Sequence, residues 1–181
     1  MDVHLRSALG LARSYQVTNI FLDLTVHDNV ALAVQAHAGH SFKFFKDVRK
    51  DNEIRHPALE FLEQVGLENR ADIMAGQLSH GEHRQLEIAM ALATRPKLLL
   101  LDEPMAGMGQ KESLLMVKIM RELKGKLTIL LIEHDMDVVF SLADKITVLL
   151  NGKVITTDSP ENIRMNTEVK AAYLGEENIN A

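Results

Sequence analysis

The sequence predicts an α/β fold in which a mostly parallel sheet carries helices on both faces and a helical subdomain is inserted into it. Beyond residue 96, short and almost wholly apolar runs alternate with segments of helical spacing, which is typical of parallel strands buried on both faces. The stretch from residue 25 to 67 has helical spacing and no strand signal. With 181 residues, 46% of them hydrophobic, the chain is long enough to bury one domain core.

The elements of the second half follow from these runs in chain order. Strands are predicted at 97–101, 127–132, 146–150 and 154–156, and helices at 110–124, 135–143, from 159 onward and at 167–174, where Gly175 ends the last one. Asn151-Gly152 is a strong signal for a two-residue hairpin turn. Ser159-Pro160-Glu161 combines a cap residue, a proline at the first helical position and an acid in the first turn, which predicts a helix start.

The first half begins with GLARSYQ, which indicates a short strand that gives way to a loop. Thr25 and Asp28 are spaced as a variant of the capping box, and the polar run at 49–53 divides the helical stretch in two. Ser79 is suited to cap a long helix. We therefore expect a helical subdomain at about 25–95, the C-terminal part of the α/β core at about 96–157 and C-terminal helices at 158–175.

The composition excludes several classes of function. The formal net charge is −5, whereas a nucleic-acid-binding protein needs a basic face, so we expect no nucleic-acid partner. Cysteine is absent, which excludes disulfides and thiolate chemistry. No apolar run approaches the about 18 residues that cross a bilayer, and the first residues lack the layout of a signal peptide. These features predict a cytoplasmic domain that is able to dock on a membrane protein.

The stretch LLLLDEP carries the clearest candidate chemistry. A buried parallel strand delivers its last residues to the carboxyl edge of the sheet, where ligands bind. There, Asp102 is suited to hold a magnesium ion and Glu103 to activate a water as general base. An acidic turn that simply follows a core strand is the alternative, and this motif alone does not decide between them.

Three further motifs gain meaning only in combination. LSHGE, at residues 78–82, places Ser79 at a helix start whose backbone N–H groups are able to face an anion, although an ordinary helix cap has the same residues. His134, at the end of the strand 127–132, is able to donate to a γ-phosphate oxygen, and Gln16 is able to ligate magnesium or position water. For each motif alone, a structural role is the better interpretation.

In this order, the motifs resemble those of the nucleotide-binding domain of ATP-binding cassette (ABC) transporters, a P-loop NTPase fold. Gln16 matches the Q-loop, LSHGE the signature that usually reads LSGGQ, LLLLDEP the Walker B strand and His134 the switch histidine. The resemblance runs from about residue 11 to 175. NIFLDLTVHDNV and PENIRMNTEVKAAYLGEE are similar to the ATPase subunits of branched-chain amino acid importers, and subunits of urea and amide importers are similar too.

The resemblance implies a head-to-tail pair of ATPase subunits, identical or different, that enclose ATP and Mg²⁺ between them. Ser79 and Gly81 would hold the γ-phosphate of the partner's ATP, and His80 and Glu82 are the residues usual in this branch at the same motif. Transmembrane permease subunits would dock beside the helical subdomain, and a separate binding protein would select the amino acid. The subunit would lie on the cytoplasmic face of the membrane.

The catalytic roles are implied in the same way. Asp102, with Gln16, would hold the metal ion, Glu103 would activate water and His134 would stabilise the charged transition state. Gln16 would also link the nucleotide to the permease subunits.

Two departures from the family pattern matter. Gly109 stands where the loop after Walker B usually carries an aspartate that crosses to the partner, which indicates an altered dimer contact. No G-x-x-x-x-G-K-[ST] phosphate loop is present, since Gly125-Lys126 and Gly152-Lys153 are the only Gly-Lys pairs and neither fits. We expect that the front of the domain is absent from this sequence. The chain alone should then bind ATP weakly or not at all, and be inactive, while its signature completes a partner's site.

Two other functions remain open at this point. A non-transport ABC ATPase of chromosome maintenance would normally carry a long coiled coil between Gln16 and Leu78, whereas a compact helical segment joins them here. A non-catalytic binding module, which docks on a partner ATPase or a membrane subunit, is consistent with all of the motifs.

Overall fold

The computed structural model of the chain describes residues 2–14, 20–38 and 51–177. The described residues form two compact units. One extends to Glu133 and the other begins at His134. The first unit contains a parallel sheet and helices, and the second a hairpin with three helices, which confirms the α/β class.

The sheet of the first unit has three parallel strands in the order β1-β2-β3. The strands are β1 (Leu11–Arg13), β2 (Leu98–Asp102) and β3 (Thr128–Ile132). β2 lies in the centre, where Leu99 and Leu101 are almost fully buried. The register pairs Leu11 with Leu98, and Asp102 with Ile132, so that the carboxyl ends of β2 and β3 coincide. The strand predicted at 97–101 therefore begins one residue later and includes Asp102.

β3 presents apolar side chains to solvent. Leu130 is 53% exposed and Ile132 is 54% exposed, although both belong to a parallel strand. In the ladder with β2, the N–H and C=O groups of Thr128, Leu130 and Ile132 face β2, so those of Ile129 and Leu131 face the outer edge. Within the described ranges of this unit, no strand pairs with that edge.

The described residues of the first unit also form five α-helices. They are α1 (Val3–Ala8), α2 (Val26–His37), α3 (Asn52–Gln64), α4 (His80–Ala93) and α5 (Gln110–Leu123). The predicted cap of α2 is confirmed, because Thr25 Oγ1 accepts a hydrogen bond of 3.0 Å from the Asp28 N–H. α2, α3 and α4 pack against one another through fully buried side chains, including Val30, Leu62 and Leu86. Short 3₁₀ turns at Glu68–Arg70 and Ala75–Gln77 lead from α3 into α4.

The second unit is built on an antiparallel hairpin. Its elements are α6 (Met136–Leu142), β4 (Ile146–Leu150), β5 (Lys153–Asp158), α7 (Pro160–Met165) and α8 (Thr167–Glu177). The hairpin turn is as predicted, with Asn151 at φ +50° and Gly152 at φ +75°. Ile146, Val148, Ile163 and Val169 form its core.

Several ends in the second unit differ from the prediction: α6 is one residue shorter at each end, β5 begins at Lys153 and extends to Asp158, and the end of α8 was predicted wrongly. α8 continues past Gly175 to Glu177, because a single glycine inside a helix costs only about 1 kcal/mol relative to alanine and does not by itself end the helix. None of the helices in the described part of the chain combines the length and the apolar composition that a bilayer span requires.

Candidate functional site

The first part of the site is the turn that follows β2. Asp102 ends the strand, and its Oδ2 lies 3.4 Å from Nη2 of Arg13, which ends the neighbouring strand β1. The carboxylate is 24% exposed and the guanidinium 51% exposed, so the pair is open to water. Asp102 is thus positioned at the carboxyl edge of the sheet, as predicted.

Glu103 has an unusual backbone conformation. Its φ is +46°, in the left-handed region that side chains other than glycine rarely adopt. Its N–H nevertheless donates to the Ile132 carbonyl at 2.9 Å, so the ladder between β2 and β3 extends one residue beyond the strands. The strain of such a residue is roughly 1–2 kcal/mol and persists only where the surrounding structure enforces it.

Two hydrogen bonds enforce the turn after Glu103. The Ala106 N–H donates to the Glu103 carbonyl at 3.1 Å. The Met105 N–H donates to Oε1 of Glu133, the residue that follows β3, at 3.4 Å. The direction of the chain at Glu103 is therefore held from both strand ends.

The second part of the site is the start of α4. Ser79 and Glu82 form a reciprocal capping box: Ser79 Oγ accepts from the Glu82 N–H at 3.2 Å, and Glu82 Oε2 accepts from the Ser79 N–H at 2.8 Å. Arg70 donates to the same carboxylate at 2.9 and 3.3 Å. The hydrogen bonds of Glu82 therefore fix the start of α4 against the 3₁₀ turn Glu68–Arg70.

The pKa of Glu82 records these contacts. Partial burial of the carboxyl raises its pKa, but the hydrogen bond from the Ser79 N–H and the hydrogen bond and positive charge of Arg70 together outweigh the burial. The pKa of Glu82 therefore lies below its usual value, and the carboxyl is ionised at neutral pH.

The loop 105–109 joins the two parts of the site. His80 Nε2 lies 3.2 Å from the Ala106 carbonyl oxygen. Gly107, at φ +75°, passes so close to the same ring that an added Cβ would lie 3.4 Å from Nε2 of His80. His80, the third residue of the signature, is thus packed on the loop that leaves Glu103.

Glu112, in the first turn of α5, makes a second connection. Its Oε2 accepts from the Gly109 N–H at 3.1 Å, and its Oε1 accepts from the Ser79 hydroxyl at 3.1 Å. Gly109, the departure from the family pattern, is therefore held within the chain by a neighbouring carboxylate.

The structure brings most of the predicted site residues into the first unit. The start of α4 carries Ser79, His80, Gly81 and Glu82, and the end of β2 carries Asp102 and Glu103. Gln16 lies outside the described residues. His134 follows Glu133 directly and is the first residue of the second unit.

Sequence reasoning missed the residues that link these motifs. Glu112 has the spacing of a capping residue three positions after Gly109, which was a usable signal for its local bond. Its bond to Ser79, however, joins residues 33 positions apart. Arg13, Arg70 and Glu133 likewise act through tertiary contacts. No local pattern predicts contacts of this kind.

The residues present fit a magnesium nucleotide in part. No group of three or more histidine or acidic residues able to hold a metal was found in the described part of the chain. Proteins usually bind magnesium through one or two carboxylates together with substrate phosphates. Asp102 supplies such a carboxylate at the end of β2. The Ser79 hydroxyl at the start of α4 is a donor suited to a phosphate oxygen.

Comparison with known proteins gives one family. The model of the ABC transporter family matches residues 3–106. A branched-chain amino acid transport ATP-binding protein of Pseudomonas aeruginosa, BraF, is 38% identical over 174 residues, which cover 92% of this chain and 68% of the relative.

Solved structures give the same result. An ATP-binding cassette of an ABC transporter in its ADP conformation aligns with a TM-score of 0.77 and 28% identity over 97% of this chain and 72% of that one. A dimeric cassette in a post-hydrolysis state, bound to ADP and phosphate, aligns with a TM-score of 0.70 and 25% identity over 88% and 68% of the two chains.

Proposed function

Because the chain belongs to the ATP-binding proteins of the ABC transporter family, we propose that it serves an importer that couples ATP hydrolysis to the uptake of branched-chain amino acids. The substrate class is supported by the name of the P. aeruginosa relative, which covers nearly the whole chain. Urea and amides are the alternative cargo. The same proposal gives the chain two partners, a transmembrane permease and an amino acid binding protein. It also places the subunit's work at the cytoplasmic face of the membrane.

One observation carries the catalytic part of this proposal. The capped start of α4 and the carboxyl end of β2 are joined through the loop 105–109, in which Ala106 contacts His80 and Gly109 contacts Glu112. A change at the signature is thereby connected to the turn that holds Glu103. Such a connection is what an ATPase needs if hydrolysis is to depend on a partner subunit.

Each site residue has one role in this proposal. Magnesium, when bound, would neutralise phosphate charge, and Asp102 is the carboxylate placed to hold it, with Gln16. In an ATP site that also has a phosphate loop, Glu103 would orient and deprotonate the attacking water, and its enforced backbone fixes the direction of its Cα–Cβ bond before the nucleotide arrives. His134 donates to the charged phosphoryl group.

The signature has its role in the partner's site. Ser79 donates its hydroxyl to the γ-phosphate held by a second ATPase subunit, and the N–H groups at the start of α4 face the same anion. The dimeric relative bound to ADP and phosphate supports a paired arrangement. Since the sequence contains no phosphate loop, the Lys and backbone amides that hold the β- and γ-phosphates would come from the partner. We expect no ATP turnover from this chain alone.

The proposed function is tested by reconstitution with a partner subunit whose own signature is inactivated. The partner is an intact ATPase subunit of a branched-chain amino acid importer, whose own signature serine is replaced by alanine. It is placed with its permease in vesicles that contain the binding protein and labelled leucine or labelled urea on the substrate side. We expect ATP turnover and leucine uptake only after this chain is added, and neither from the chain alone.

The controls separate the roles within the chain. Ser79→Ala and Glu103→Gln address the two parts of the site, and only Ser79→Ala should abolish the rescue, because the partner supplies its own Walker B glutamate. Ser141→Ala, a serine that donates to the Val138 carbonyl in α6, should rescue as the wild type does. Rescue of the subunits of a urea importer prepared in the same way, with no rescue of the branched-chain amino acid importer, would reject the substrate class. A stable complex without any turnover would favour the non-catalytic binding module.

A further inference from the structure

The carboxylate of Glu112 forms a hydrogen bond with the signature motif LSHGE, residues 78–82. Its Oε1 accepts from the Ser79 hydroxyl at 3.1 Å, so the group that the proposed function gives to a phosphate is already bonded within the chain. Its Oε2 accepts from the Gly109 N–H at 3.1 Å. Both oxygens therefore have a donor, and the side chain spans from α5 to the start of α4.

Gly81 shows how closely the carboxylate approaches. A Cβ added to Gly81 would lie 2.5 Å from Cδ and 2.6 Å from Oε1 of Glu112, well inside contact distance. Gly81 itself is buried. The carboxylate therefore lies directly against the backbone of the glycine that would face the γ-phosphate, and only the lack of a side chain at Gly81 leaves room for it.

This position has a chemical meaning. The start of a helix attracts one anion through its N–H groups and dipole, and a carboxylate and a phosphate compete for it because like charges repel at short range. We propose that Glu112 is a gate on the signature motif, an internal anion that a nucleotide phosphate must displace. This inference rests on the proposed function of Ser79 and Gly81 and adds the regulation of that site.

The second hydrogen bond of Glu112 connects the gate to the loop 105–109. When the carboxylate leaves Ser79, it can keep or lose its bond to Gly109, the last residue of the loop that starts after Glu103. Displacement that also breaks the bond to Gly109 would act on the loop as well as on the signature. Glu112 is therefore a positioning residue. It acts through Ser79 and through the loop 105–109, and not on a substrate or a metal ion directly.

The test reads the signature directly. The ¹⁵N-labelled chain is titrated with inorganic phosphate at constant ionic strength, and the amide signal of Gly81 is followed by NMR. Glu112→Gln removes the charge but keeps the volume and the capping ability, and Glu112→Ala removes the whole carboxylate. In both variants we expect half-saturation at about tenfold lower phosphate than in the wild type, the effect of removing a like charge a few ångströms away.

Glu122→Gln is the matched control. Glu122 lies near the other end of α5, where it faces Lys118 at 3.8 Å, and its replacement should leave the phosphate titration unchanged. Equal half-saturation in the wild type and in both Glu112 variants would overturn the gate, while leaving the signature as an anion site. No Gly81 response in any variant would overturn the gate too, because removal of the carboxylate would then open no site. The proposed function is judged separately by the vesicle assay.

Discussion

The left-handed backbone of Glu103 allows a test that needs no nucleotide. We compare Glu103→Gly with Glu103→Ala. Both variants lose the carboxylate, so every contact of that carboxylate cancels from the comparison. The variants differ only in whether a Cβ is held at φ +46°. If the turn is enforced as described, Glu103→Gly should be the more stable of the two.

The expected difference follows from two opposing terms. A Cβ in the left-handed region costs roughly 1–2 kcal/mol, and glycine loses roughly 0.5–1 kcal/mol more backbone entropy on folding than alanine does. The net difference in the free energy of unfolding is about 0–1.5 kcal/mol, with a centre at about 0.75 kcal/mol, in favour of Glu103→Gly. With a urea m-value of about 2 kcal/mol/M, the central value raises the unfolding midpoint by about 0.4 M.

The assay is urea unfolding followed by far-ultraviolet circular dichroism, since the chain has no tryptophan. Lys118 in the interior of α5 provides the control pair. At this ordinary helical position Lys118→Gly should be less stable than Lys118→Ala by about 0.8–1.0 kcal/mol. The sign of the glycine–alanine difference must therefore invert between the two positions. If both pairs favour alanine, Glu103 carries no backbone strain and its proposed pre-orientation is wrong.

Two further stability measurements address the core and the signature. Leu99→Ala in the centre of β2 should lower the free energy of unfolding by about 2–5 kcal/mol. Leu130 on β3 is 53% exposed, so Leu130→Ala should lower it by less than about 1 kcal/mol. Equal urea midpoints for the two variants would contradict the central position of β2. The pKa of Glu82 is lower in the folded chain than its ordinary value of 4.5. The ionised carboxylate therefore stabilises the fold at pH values above 4.5, and this stabilisation is lost as the pH falls through the lower pKa of the folded state. Glu82→Gln should therefore lose less stability than the wild type between neutral pH and this acid range, as measured by urea midpoints.

Local patterns predicted most elements of this chain, but not the helix α1 (Val3–Ala8). The Asn151-Gly152 turn, the Thr25 cap and the long helix that begins after Ser79 each depend on residues a few positions apart. β2 and β3 were also found, because continuous apolar runs have few other structures available to them. The predicted ends of β2 and β3 differ from the observed ones by at most one residue, at positions that the pattern does not define.

The geometry of the site was less accessible to sequence reasoning. The contact of Glu112 with Ser79 depends on how α5 packs beside α4, and the ion pair of Arg70 with Glu82 depends on the fold of the preceding turn. The φ of Glu103 is also hidden, since glutamate has no preference for the left-handed region and only the bonds around the turn enforce it. The motifs thus named the site, and the packing determined what each residue contacts.

The exposed edge of β3 has a consequence for handling the protein. A short apolar strand with outward-facing Ile129 and Leu131 backbone groups is a template for any other extended chain, including another copy of itself. Leu130 and Ile132 add adhesive surface beside it. Loss of material on concentration should therefore begin at this strand rather than at the charged helices. A single lysine in place of Leu130 is the simplest way to keep concentrated samples clear.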